Sequence, residues 1–285
     1  MENRKCILSV ARQEYLRWIT DPRIVVVGVL IIFMRTLAVE PLLERAEKIG
    51  IRLGIFEPYI AIGNSGMLVM LMPCVFLILI GDYPKITGNT LFFIQRTGKW
   101  NWFIGQILFI VYAVLTFLGL VIIGSILVSG GRPLSGWSDA VTKYNAMFPD
   151  EAENFASQLI PSNLYNQLSM WNALLQTTIL MAMYLFLLAL VIYFFKEIHI
   201  QSFGLFASII VISAGVVTTS LDSRVMWGLP MANTIVWIHY DKILEETVVP
   251  VWFSYVYFAV VITAMLILNE MAVRRLELLN IELVE

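Results

Sequence analysis

The chain has 285 residues, of which 59% are hydrophobic and only 14% charged, and its mean hydropathy is +0.80. An ordinary soluble domain is roughly 45–50% apolar, so this composition excludes a soluble globular fold and specifies a membrane protein. The formal net charge of −2 selects no partner, and no nucleic-acid partner is expected.

A hydrocarbon core about 30 Å thick requires about 20 mostly apolar helical residues to cross it. Six segments meet or approach that length: Ile24–Leu42, Ile60–Ile80, Trp102–Val128, Asn172–Phe195, Ile200–Leu221 and Val251–Asn269. None alternates with a period of two, which excludes a barrel and predicts an all-α bundle. Residues 1–23 form a separate element before a single six-helix transmembrane domain over 24–285.

In the first element, Ile7, Leu8, Ala11, Tyr15, Trp18 and Ile19 share one arc of a helical wheel, opposite Lys5, Ser9, Arg12, Gln13 and Arg17. The pattern predicts an amphipathic interfacial helix in the headgroup plane, ended by Asp21-Pro22. It has no small-residue cleavage site, so the first span is expected to remain in the mature protein. Beyond the midplane of that span stands Arg35. It either snorkels to the outer headgroups or faces inward to pair with Glu40, Glu57 or a translocated anion. The second span carries Asn64 and Ser65 between two glycines, and Pro73. Polar residues at that depth are expected to face the bundle or a wet path. The two cysteines, Cys6 and Cys74, are too separated in context for a structural disulfide, and Cys74 reads as a packing residue.

Between the second and third spans, Asp82-Tyr83-Pro84 stops one helix, Thr87–Thr90 offer caps, and LFFIQRT leads to Gly98. This predicts a two-turn helix with Arg96 near the negative end of its dipole. Leu91, Phe92, Phe93 and Ile94 give it more apolar surface than a solvated helix leaves exposed, so it buries against membrane, bundle or another protein. Trp100 and Trp102 mark re-entry into the interface. Residues 129–171 read as an ordered cap with short helices, and the fifth span is rich in small polar residues, Ser208 and Ser213 among them. These suit either tight packing or a polar translocation wall. VMWGLPMANTIVWIH is too short to span with Pro230 inside it, and reads as re-entrant or interfacial.

With both termini cytoplasmic, the inner connections hold eleven basic residues over 64 positions and the outer ones seven over 89, and the outer ones carry twelve acidic residues once Glu40 is included. That imbalance sets the orientation. No G-x-x-x-x-G-K-[ST], G-x-S-x-G or H-E-x-x-H occurs, and the two histidines are far apart. Neither a phosphate-binding loop nor a metal site is expected, and no self-sufficient catalysis.

An amphipathic cytoplasmic helix, two spans, a short helical turn, three spans, a re-entrant segment and a last span, with the phrases GDYPKITGN and RTGKWNWFIGQ, resemble the ABC type-2 transporter permease family over essentially the whole chain. The resemblance implies a permease subunit of an exporter in a bacterial plasma membrane. It pairs with a second permease subunit and is driven by two copies of a separate ATPase that hold the ATP and Mg. By the same resemblance the turn is a coupling helix, with Leu91, Phe92, Phe93 and Arg96 as ATPase contacts, and the first element a connecting helix carrying Arg12 and Arg17. Arg35, Asn64, Ser65, Ser208 and Ser213 stand as candidate translocation-path residues. The alternative is a membrane-embedded enzyme or sensor acting without an ATPase.

Overall fold

The computed structural model describes residues 2–85, 94–152, 154–241 and 246–275. Among the described residues the chain is helical with no β-strand, apart from two isolated bridges. Five helices are long and apolar enough to cross a membrane, and a sixth crossing exists if one sharply bent pair counts as a single span. The protein is a multi-pass helical membrane protein.

Helix α1 (Glu2–Ile19) does not lie free on a surface. Its Val10, Ala11 and Trp18 are buried, and it runs beside α5 (Lys99–Ser129). Val10 meets the backbone at Gly105, and the Tyr15 hydroxyl lies 2.9 Å from Thr116 Oγ1. Gly105 and Thr116 are about 16 Å apart along a helix axis, so the two helices lie side by side. The expected apolar arc is rotated, because Leu8 is exposed while Glu14 is buried.

Helix α2 (Pro22–Ile49) begins where the Asp21 carboxylate accepts the Arg23 N–H at 3.1 Å. It continues well past Leu42, the expected end of the first span, through a π-helical stretch at Arg35–Val39 to Gly50 in the left-handed region. The extension is stable because Leu42, Arg45 and Ala46 turn one face onto the cap. Charge at Arg35, Glu40 and Glu44 disguises this continuity in the sequence.

The second span is not one helix over Ile60–Ile80. It comprises α3 (Glu57–Asn64) and α4 (Leu68–Ile80), bent by 96° at the intervening residues. Ser65 leaves the helical region, at ψ 127°. Cys74 is exposed rather than packed inside. After Gly98, whose φ of 82° only glycine adopts readily, α5 runs 31 residues. That is about 46 Å, more than the hydrocarbon thickness.

Helix α6 (Met170–Glu197) is the central element, packed against α3, α4, α5, α7 (Gln201–Ser220) and α8 (Val251–Arg275). Its buried set, from Ala173 through Tyr193, covers most of its circumference, as an all-round apolar helix must. By contrast α7 and α8 leave large apolar side chains such as Phe206, Ile209, Val256 and Val260 exposed. Apolar faces exposed in this way suit a membrane environment.

Two irregular assemblies sit at the same end of the bundle. One is the cap, short helices between Asp139 and Tyr165, tied down where Trp137 Nε1 donates to Leu168 O at 2.7 Å and Lys48 pairs with Glu151 at 2.8 Å. The other, expected as re-entrant or interfacial, is a run of 3-10 turns at Arg224–Gly228, Ala232–Thr234 and Val236–His239. Met231 to Val236 are almost wholly buried, so this segment is part of the core.

Candidate functional site

Two polar assemblies lie where a helical membrane protein can do work. The first surrounds the break between α3 and α4. Asn64 ends α3, and its Nδ2 donates to Ile60 O at 2.9 Å and to Thr177 Oγ1 at 2.7 Å. Its Oδ1 accepts the Val236 N–H at 2.8 Å, and its backbone carbonyl accepts Trp237 Nε1 at 2.6 Å. One residue therefore joins α3, α6 and the 3-10 segment. Both donor hydrogens of the amide are used, so Asn64 holds the break rather than facing a passing solute. Close approach there depends on Gly63, where a Cβ would lie 2.4 Å from Thr177 Cγ2.

Ser65, the next residue, opens onto a cavity of about 710 Å³ shared with the cap, the end of α7 and Trp237. The other candidate path residues do not join it. Ser208 is buried and its hydroxyl donates back to Gly204 O at 2.9 Å within α7, while Ser213 is exposed. Arg35 donates to Val128 O at 3.2 Å and lies 3.6 Å from Glu40, half-exposed. There it satisfies a carbonyl at the C-terminus of α5, where the helix dipole favours a cation.

The second assembly is at the opposite end. Lys85 pairs with Asp21 at 3.0 Å, Tyr83 donates to Arg17 O at 3.0 Å, and Arg23 pairs with Asp82. Lys196, at the end of α6, donates to the Asp82 carbonyl. The segment following α4 is thus fastened to α1, α2 and α6 at once. The Arg23 N–H and the Lys85 ammonium hold the Asp21 carboxyl below its usual range, and Asp21 in turn raises Lys85. Burial pushes the Glu14 carboxyl up, opposed by the charges of Arg17, Lys196 and Lys85. Arg17 lies 3.5 Å from Glu14, and Arg12 is exposed.

Of the expected coupling contacts, Leu91, Phe92 and Phe93 lie outside the described residues. Residues 94–97 are helical, with Ile94 buried and Arg96 exposed. Among the described residues no three His, Cys, Asp or Glu side chains cluster as metal ligands.

Two further groups have partners that the sequence did not assign, Glu57 having stood there as a candidate partner of Arg35. Glu57 is wholly buried and accepts from Gly54 N, Ser138 N and Ser138 Oγ at 3.0, 2.6 and 2.9 Å. His239 and Ser254, both buried, lie 3.2 Å apart through Nε2 and Oγ, with Asn233 Oδ1 accepting from Ser254 at 2.8 Å. With no exposure, that Ser–His pair pins the 3-10 segment to α8 and admits no substrate.

No family model, curated protein or solved structure matches this chain.

Proposed function

We propose that this chain is the membrane-spanning permease subunit of an ATP-binding-cassette exporter of the type-2 permease kind. The observation that carries the reading is the ionic junction of Asp21, Arg23, Asp82, Tyr83, Lys85 and Lys196. A segment that follows one crossing and leads into the next is tied there to the first helix and to the ends of two other crossings. Such a junction converts a push on residues 86–97 into movement of α1, α2 and α6.

In this reading α3 and α4 together make one of six crossings, and both termini are cytoplasmic in a bacterial plasma membrane. α1 is the connecting helix, and Leu91, Phe92, Phe93 and Arg96 meet a separate ATPase, present in two copies, that binds ATP and Mg. The exposed apolar faces of α7 and α8 leave room for a second permease subunit beside lipid. The alternative, an autonomous enzyme or sensor, would draw on Arg35 and the polar fifth span. Arg35 is engaged with a helix end, and Ser208 is bonded within its own helix.

Co-expression with an ATPase that carries a phosphate-binding loop, followed by detergent purification, tests the proposal. The expected result is co-purification that Phe92→Asp and Phe93→Asp abolish while the permease stays folded. Unchanged association and transport in both variants would reject coupling at this turn.

A further inference from the structure

We propose that the cavity between the cap and the broken second span is a binding site for a short neutral oligosaccharide. Its volume of about 710 Å³ falls within the range of small-molecule sites. Three parts of the fold build it: Ser65 at the bend, Asn145, Phe155 and Gln158 from the cap, and Thr219 and Trp237 from the α7 end and the 3-10 segment.

The ligand class follows from what these side chains offer. None of the described lining residues is charged. The neighbouring cation, Arg45, lies one residue behind the wall: it donates to the lining Ser157 Oγ and stacks over the Tyr144 ring, with its guanidinium carbon 4.5 Å from the ring centroid. Among the described lining residues an ionised ligand finds no countercharge, which disfavours phosphates, carboxylates and amines.

What remains on the walls is hydroxyl and primary amide, groups that donate and accept at once. Sugar hydroxyls also do both, whereas a peptide backbone separates its donors from its acceptors. From the end of α7, the exposed Ser220 adds a hydroxyl-bearing side chain to this wall. Trp237 is anchored through Nε1 to Asn64 O, which fixes its ring at the wall, and Phe155 supplies a second, half-exposed ring. Flat apolar surfaces between hydrogen-bonding groups suit the alternating C–H faces and hydroxyl edges of a pyranose.

The site is independent of the transport reading, since binding requires neither an ATPase nor passage. The full chain in lipid nanodiscs is titrated with maltotriose, with tri-N-acetylchitotriose and with trialanine, following tryptophan fluorescence and heat. Saturable binding of at least one trisaccharide at about 1 mM or below is expected, weakened about tenfold by Ser220→Ala and by Gln158→Leu. A thermal melt verifies that each variant stays folded. No saturable sugar binding overturns the proposal, as does binding that both substitutions leave unchanged. Binding of trialanine in place of the sugars overturns the ligand class. None of these outcomes bears on ATPase association.

Discussion

The carboxylate of Glu57 accepts both the backbone N–H and the hydroxyl of Ser138, joining the start of α3 to a cap residue 81 positions later. Removing the acceptor leaves buried donors unpaired, so Glu57→Ala is expected to cost about 3 kcal/mol, and Ser138→Ala about 1 kcal/mol because the backbone bond survives. Thermal unfolding in detergent measures both. Equal effects would show that the backbone bond contributes nothing.

Close packing at Gly63 yields a sharper test. Gly63→Ala is expected to destabilise by about 1–3 kcal/mol through the clash with Thr177. Thr177→Ser deletes the clashing methyl yet retains the hydroxyl that Asn64 needs. The double variant should therefore be more stable than Gly63→Ala alone. An additive loss would place the strain elsewhere.

Burial lowers the His239 pKa from its usual 6.5, against the hydrogen bond to Val249 O. The folded state binds this proton less readily than the unfolded chain, so the contribution is present above pH about 6.5 and is lost as pH falls toward the lowered value. The melting temperature should drop across that window on acidification. His239→Gln, compared over the same range, should flatten the drop.

A Cβ on Gly105 would lie 2.7 Å from Val10. Gly105→Ala is expected to lift α1 from α5 at a cost of about 1–3 kcal/mol. Trypsin cleavage after the exposed Arg12 should accelerate while cleavage elsewhere does not, and an unchanged digestion pattern would mean that α1 is held by other contacts.

Long apolar stretches were legible because span length depends on composition alone. The expected Trp102–Val128, Asn172–Phe195 and Ile200–Leu221 differ from α5 to α7 by a turn or less at their ends, and α8 runs six residues past the expected Val251–Asn269. The break after Asn64 was not legible, since it depends on Val236 and Trp237, more than 170 positions away. For the same reason the partner of Glu57 was not legible: the sequence offers it to Arg35, whereas the fold gives it Ser138, 81 positions away. Periodicity also misjudged α1. An arc drawn for a lipid surface differs from one set by a neighbouring helix that accommodates Glu14.

The side-by-side packing of α1 and α5 has a consequence for biosynthesis. α1 is translated before α5, and the groove it occupies is completed only when Gly105 to Thr116 emerge. At typical elongation speeds that delay is on the order of 5–20 s. Throughout it the faces of Val10 and Ala11 that pack on α5 lack their partner, although Trp18 can already donate to Leu79 O, so the nascent helix must be sheltered by the bilayer surface or a chaperone before it docks.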